Sequence, residues 1–216
     1  MASYIIHTCP TREWYVTDYL IPDMKAQGIT DIEVWNDTEK RGNLRACMEC
    51  FTEIGKRGEQ RWHLQDDIVI SRDFREKTER YDDGIVCGYV REEWQPMGVR
   101  AGVVPAVFMW NSFPCIHIPD EYARDMAEWF YTDAAFRDTY RDNVRLNRGD
   151  DSMWFDWVME CHLEDEVRNL SPCIVDHIDF LIGGSVTNYE RGFQTRATLW
   201  DDEEAFERIR DKLASR

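Results

Sequence analysis

The chain has 216 residues, a net charge of −16 and a composition that is 43 % hydrophobic and 13 % aromatic, with nine Trp. Such a chain can bury a sizeable core as one domain, which excludes a disordered segment too polar to offset its conformational entropy. The acidic balance argues against a protein that tracks a nucleic-acid backbone nonspecifically, because that binding needs clustered Lys and Arg.

Tyr4 to His7 reads as a first strand that ends in the polar loop Thr8 to Arg12. Val16, Leu20 and Met24 then have helical spacing, with a kink expected at Pro22 and a stop at Gly28. A second strand runs over Ile29–Asn36 and terminates in Asn36-Asp37. Arg41-Gly42-Asn43 opens a helix whose stripe is Leu44, Cys47, Met48, Phe51 and Ile54. Cys47 and Cys50 on that stripe read as core packing, since no second Cys pair follows at metal spacing.

The third strand, Arg61 to Ile70, is apolar apart from two adjacent carboxylates, Asp66 and Asp67. An unpaired carboxylate in such a strand costs several kcal/mol, and a divalent cation held by hard oxygen ligands removes the cost. Ser71 is the expected cap of a charged helix through Tyr81. Strands alternating with helices predict an α/β fold with a single mixed, mainly parallel central sheet flanked by helices. Ligands bind beyond the carboxyl ends of such strands, where Thr8 to Arg12, Asn36-Asp37 and Asp66-Asp67 all fall.

In the second half, Gly84–Val90 reads as a strand and Arg91 to Gly102 as a loop over the site. Strands follow at Val103–Phe113 and Cys115–Ile118, broken by Asn111, Ser112 and Pro114. Asp120 starts a helix with Tyr122, Met126, Trp129 and Phe130 on one side, and Arg137–Leu146 reads as another. Asp150 and Asp151 precede the stripe Trp154, Val158, Cys161, at a helix N-terminus where the macrodipole favours carboxylates. His177 lies on the apolar strand Ile174–Phe180 between Asp176 and Asp179, so a neighbouring acid can orient its ring as a metal ligand. A final helix carries Ala205, Ile209 and Leu213 on its packing face. The seven scattered Cys suit reduced thiols, the N-terminus has no basic segment of a signal peptide, and no apolar run approaches a membrane span, which together predict a cytoplasmic protein.

Five features together resemble the metal-dependent nucleotide-sugar glycosyltransferases of the glycosyltransferase A fold. They are the Arg12 loop, the Gly42-Asn43 helix start with Ala46, Gln65-Asp66-Asp67, Gly149-Asp150-Asp151, and Pro172 to His177. The last two look like the lipopolysaccharide and collagen galactosyltransferase group, and the layout is similar to small glycosyltransferase-like proteins of phages and prophages. The resemblance implies one domain, with a nucleotide-binding half over 1–90 and an acceptor-side half over 91–216. It implies that Asp66, Asp67 and His177 hold Mn²⁺ or Mg²⁺ against a nucleoside-diphosphate sugar, by default a uridine diphosphate sugar. Thr8, Arg12, Asn36, Gly42, Asn43, Gln65 and Asp66 then line the nucleotide pocket, Asn111 and Ser112 meet sugar or acceptor, and Asp151, or its neighbour Asp150, is the base. The acceptor is a carbohydrate or cell-envelope precursor, or a modified DNA base. Gln65 stands where such enzymes carry an acid. Two rival readings are a metal-dependent nucleotidyltransferase and a non-catalytic sugar- or nucleotide-binding protein, a phage interaction protein among them.

Overall fold

The computed structural model describes residues 2–90, 102–105, 114–132, 150–161, 163, 166–183, 200 and 202–214. Within them the order is β1 (Tyr4–Thr8), α1 (Glu13–Tyr15), a π-helical turn (Val16–Leu20), α2 (Ile21–Ala26), β2 (Ile32–Asn36), α3 (Asn43–Arg57), β3 (Arg61–Gln65), β4 (Ile68–Ile70), α4 (Phe74–Arg80) and β5 (Ile85–Cys87). There follow β6 (Gly102–Pro105), β7 (Cys115–Ile118), α5 (Asp120–Thr132), α6 (Asp150–Glu160), β8 (Val167–Ser171), β9 (Val175–His177), a 3₁₀ turn (Asp179–Leu181) and α7 (Glu203–Ala214).

Seven strands form one sheet in the order β2-β1-β3-β7-β5-β8-β6. β1 is parallel to β2 and β3, and β5 to β8, while β7 and β6 run against their neighbours. Five of the seven strands therefore share one direction, the mixed and mainly parallel α/β sheet expected. Alternation along β1 sends Tyr4 and Ile6 to one face and Ile5 to the other, and a separate hydrophobic core lies on each face. The first core packs the sheet against the α1–α2 helix, α4, α7 and β4. The second packs it against α3, α5 and α6, with Phe51 and Trp157 fully buried. Burial of each such side chain stabilises the fold by about 1.5–3 kcal/mol.

Four local expectations are corrected. Arg61 to Ile70 is two strands, because the chain turns at the Asp pair: β3 stays in the main sheet and β4 pairs antiparallel with β9 in a separate two-stranded sheet. The disturbance assigned to Pro22 sits one turn earlier, in the π-helical turn, so that Pro22 begins a new α segment where its missing N–H is harmless. Ser71 is not a helix cap. Its N–H donates to the Ile174 carbonyl (2.9 Å), its hydroxyl bonds Asp73 (2.8 Å), and α4 starts after Asp73. Finally, Ile174–Phe180 is not one strand: β9 covers only Val175–His177, and the chain then turns through the 3₁₀ segment Asp179–Leu181.

Gly88 joins the two sheets. Its N–H donates to Cys115 and its carbonyl accepts from Ile174, and a Cβ there would lie 2.7 Å from both the Cys115 sulfur and the Ile174 side chain. All seven cysteines are free thiols. Among the described residues, no helix is long and apolar enough to cross a membrane.

Candidate functional site

The turn between β3 and β4 places Asp66 and Asp67 at the carboxyl end of β3, beside the end of β1, which β3 joins in parallel. Tyr15 fixes that turn, donating its hydroxyl to the Ile68 carbonyl (2.8 Å). Thr8 Oγ1 donates to Asp66 Oδ2 (2.8 Å), and the Cys9 N–H reaches the same oxygen (3.3 Å). Arg12 Nη1 bridges the pair, 2.9 Å from Asp66 Oδ1 and 2.5 Å from Asp67 Oδ2. All three side chains are about nine-tenths buried or more, so this bridge is barely screened by solvent.

The β4–β9 ladder supplies the last member. Ile68 pairs with His177, and the Ile178 N–H donates to the Asp67 carbonyl (2.8 Å). His177 Nε2 then lies 3.3 Å from Asp67 Oδ1, and His177 Nδ1 lies 3.3 Å from Asp179 Oδ1. Of the two flanking acids it is Asp179 that orients the ring, since Asp176 accepts the His177 backbone N–H (2.8 Å). Burial works against charge on His177, but Asp67 and Asp179 outweigh it and push the imidazole up to about 10. Burial likewise opposes ionisation of Asp67, yet His177 and Arg12 hold it below the usual carboxylate range. Asp66 is raised, by burial and by Asp67, against the pull of Arg12 and Thr8.

The carboxylate penalty thus has two internal counterweights, Arg12 and His177, beyond the metal ion invoked from sequence. One oxygen still fits a cation. Asp67 Oδ1 is buried and accepts no hydrogen bond of good geometry among the described residues. Its 3.3 Å separation from His177 Nε2 is close to the ~3 Å between adjacent ligands of a small octahedral cation. The Asp179–His177–Asp67 chain also has the form in which a carboxylate orients a metal-binding imidazole.

A second constellation lies on the α3 face of the sheet. Asn43 Nδ2, at the start of α3, donates to Asp150 Oδ1 (2.7 Å), and Gln65 Nε2 donates to Asp150 Oδ2 (2.6 Å). Burial and the nearby Asp150 carboxylate drive the Cys47 thiol well above its usual range. Beneath these residues, His7, Cys47 and His63 bring their ligand atoms within 4.8 Å of one another. Burial lowers both imidazoles, His7 to about 4 despite opposing pulls from Asp37 and Asp67, and His63 well below its usual value, with a contribution from His7.

Of the residues singled out by sequence, Thr8, Arg12, Asp66, Asp67 and His177 meet in the first constellation, and Asn43, Gln65 and Asp150 in the second. Asn36 ends β2 opposite Thr8, and its side-chain oxygen is a buried acceptor with no donor among the described residues. Gly42 precedes α3 at φ +89°, with its N–H on Asp37 Oδ2 (3.2 Å). That conformation strains any residue with a Cβ. Asp151 is helical in α6, with its side chain outside the described residues, as are Asn111 and Ser112. Residues that sequence reasoning missed are Tyr15 and the pair His7 and His63. A strand register was needed to find the pair: His63 lies beside Ile5 and His7 beside Gln65, all on one face.

No protein-family model matches the chain, and no curated protein matches it. Among solved structures the chain is similar to the crystal structure of A197 from STIV, at 12 % identity, covering 82 % of this chain and 85 % of that one, with a TM-score of 0.46. A likeness of that grade carries no argument about activity.

Proposed function

We propose that the chain is a metal-dependent glycosyltransferase that moves a sugar from a nucleoside-diphosphate sugar to an acceptor hydroxyl, on a glycosyltransferase A-like fold. The observation that carries this reading is the buried Asp67 oxygen without a good donor, facing an imidazole that Asp179 orients. Asp67, Asp66 and His177 would hold Mn²⁺ or Mg²⁺, which when bound neutralises charge on the departing diphosphate. Arg12 keeps the two carboxylates together, and Asn36, Gly42 and Asn43 stand at neighbouring strand and helix ends where a nucleoside fits. Asp150 already accepts bonds at both oxygens, which weakens it as a base, so proton removal from the acceptor falls to Asp151 beside it on α6. Gln65, which replaces an acid, serves as a donor that anchors Asp150.

A second reading, a nucleotide- or sugar-binding protein without turnover, is favoured by one observation: Arg12 and a protonated His177 balance the Asp pair without any metal. Calorimetric titration with uridine, guanosine, cytidine and thymidine diphosphates, with and without Mn²⁺, separates the two. The transferase reading expects one diphosphate to bind only with Mn²⁺, and Asp67→Asn to abolish that binding. Metal-independent binding supports the second reading, and a folded protein that binds none of the four sinks both.

A further inference from the structure

We propose that His7, Cys47 and His63 form a second, soft-metal site, which takes Zn²⁺ and presents its fourth position to the Asp150 carboxylate. The donors belong to three elements that the fold brings together: β1, β3 and α3. They are two imidazoles and a thiol, a set that selects Zn²⁺ over the Mg²⁺ or Mn²⁺ suited to oxygen ligands. All three side chains are more than nine-tenths buried, at 6 %, 0 % and 0 % exposure. Their ligand atoms lie within 4.8 Å of one another, and a tetrahedral Zn²⁺ site needs separations of about 3.3–3.6 Å, so binding draws no pair in by more than about 1.5 Å.

The surroundings are those of a supported site. Asp150 neighbours the Cys47 thiol, and the Asn43 and Gln65 amides hold both oxygens of that carboxylate in place. Phe51 covers His63, with ring centroids 4.9 Å apart, and the two imidazoles face each other at 5.8 Å. Binding replaces the thiol proton: Cys–SH and Zn²⁺ give a Cys–S–Zn bond and a proton released to solvent. Such burial implies that the ion enters as the chain folds and ties β1, β3, α3 and the start of α6 into one unit. This inference does not depend on the transferase reading, because its ligands are distinct from Asp66, Asp67 and His177.

The test uses the full chain. Protein produced in zinc-supplemented medium and passed over a metal-chelating resin is expected to keep about one Zn²⁺ per chain. Cobalt substituted for zinc is expected to show a near-ultraviolet thiolate-to-metal charge-transfer band that disappears in Cys47→Ser and persists in Asp67→Asn, a variant of the oxygen-ligand site. Should Cys47→Ser fail to fold, the zinc-edge X-ray absorption spectrum of the unaltered protein decides, with one sulfur and two imidazole nitrogens expected. Folded protein with no bound zinc, a band that survives in folded Cys47→Ser, or a zinc shell without sulfur would each overturn the proposal.

Discussion

His7, buried on β1 of the main sheet, and His177, mostly buried on β9 of the second sheet, are both imidazoles, yet His177 is pushed up to about 10 and His7 down to about 4. His177 stands 3.3 Å from each of two carboxylates, whereas His7 packs against a second imidazole, and its nearest acids act from farther off. Burial alone therefore does not set the charge of a buried group; the neighbours within hydrogen-bond reach do. The consequence is a fold with a charged cluster on one face of β1 and β3 and a neutral cluster of donor atoms on the other.

The strongest way to break the charged cluster is to remove its bridge. Arg12→Met leaves two buried carboxylates with one cation fewer and is expected to cost about 3–5 kcal/mol in urea unfolding. Adding Asp66→Asn should recover part of that loss. If Arg12→Met is neutral, the counterweight assigned to Arg12 is wrong.

The two imidazoles should also lose their contributions at opposite ends of the pH scale, measured in EDTA so that no metal intervenes. Folded His177 keeps its proton to about 10 against an ordinary 6.5, so its contribution is full below pH 6.5 and is lost as pH rises towards 10. Folded His7 stays neutral down to about 4, so its contribution is full above pH 6.5 and falls away as pH drops towards 4, by about 3 kcal/mol in all. Unfolding curves of His7→Gln should therefore show a flatter acid limb and an unchanged alkaline one. An acid limb as steep as in the unaltered protein would remove His7 from the account.

A milder probe touches the link between the faces. Gln65→Leu takes one of the donors from Asp150 and should cost about 1–2 kcal/mol, read as a lowered thermal midpoint. Smallest of all is Lys212→Ala, which removes the exposed bond from α7 to Asp23 and is expected to change stability by less than about 0.5 kcal/mol. A larger effect there would mean that α7 is held to the charged face chiefly by charge, not by Ala205, Phe206 and Ile209 in the core.

Much of this was legible in the sequence, for reasons that differ by residue. The stripe Leu44, Cys47, Met48, Phe51, Ile54 repeats with helical spacing, so α3 and its buried side were readable. The Asp pair was conspicuous because its neighbours are apolar, and His177 because two acids flank it. The partners were not readable. Arg12 meets Asp66 across 54 residues of chain, and Gln65 meets Asp150 across 85, and no local pattern encodes such distances. The break between β3 and β4 was hidden because Ile68, Val69 and Ile70 are as apolar as the strand before them, and only their pairing with β9 separates them. Cys47 does lie in the core, as its place on the α3 stripe predicts, but its nearness to His7 and His63 on two strands follows only from the strand register.

The three-residue ladder between β4 and β9 also imposes an order in time. Asp67 leaves the ribosome 110 residues ahead of His177, which at roughly 5–20 residues per second is a delay of about 5–20 s. During that interval the nascent half holds both carboxylates and only Arg12 to oppose them, since β9 has not yet been made. Arg12 is thus the provisional counter-charge of an unfinished molecule, and the arrival of His177 completes the electrostatics at the moment the second sheet closes.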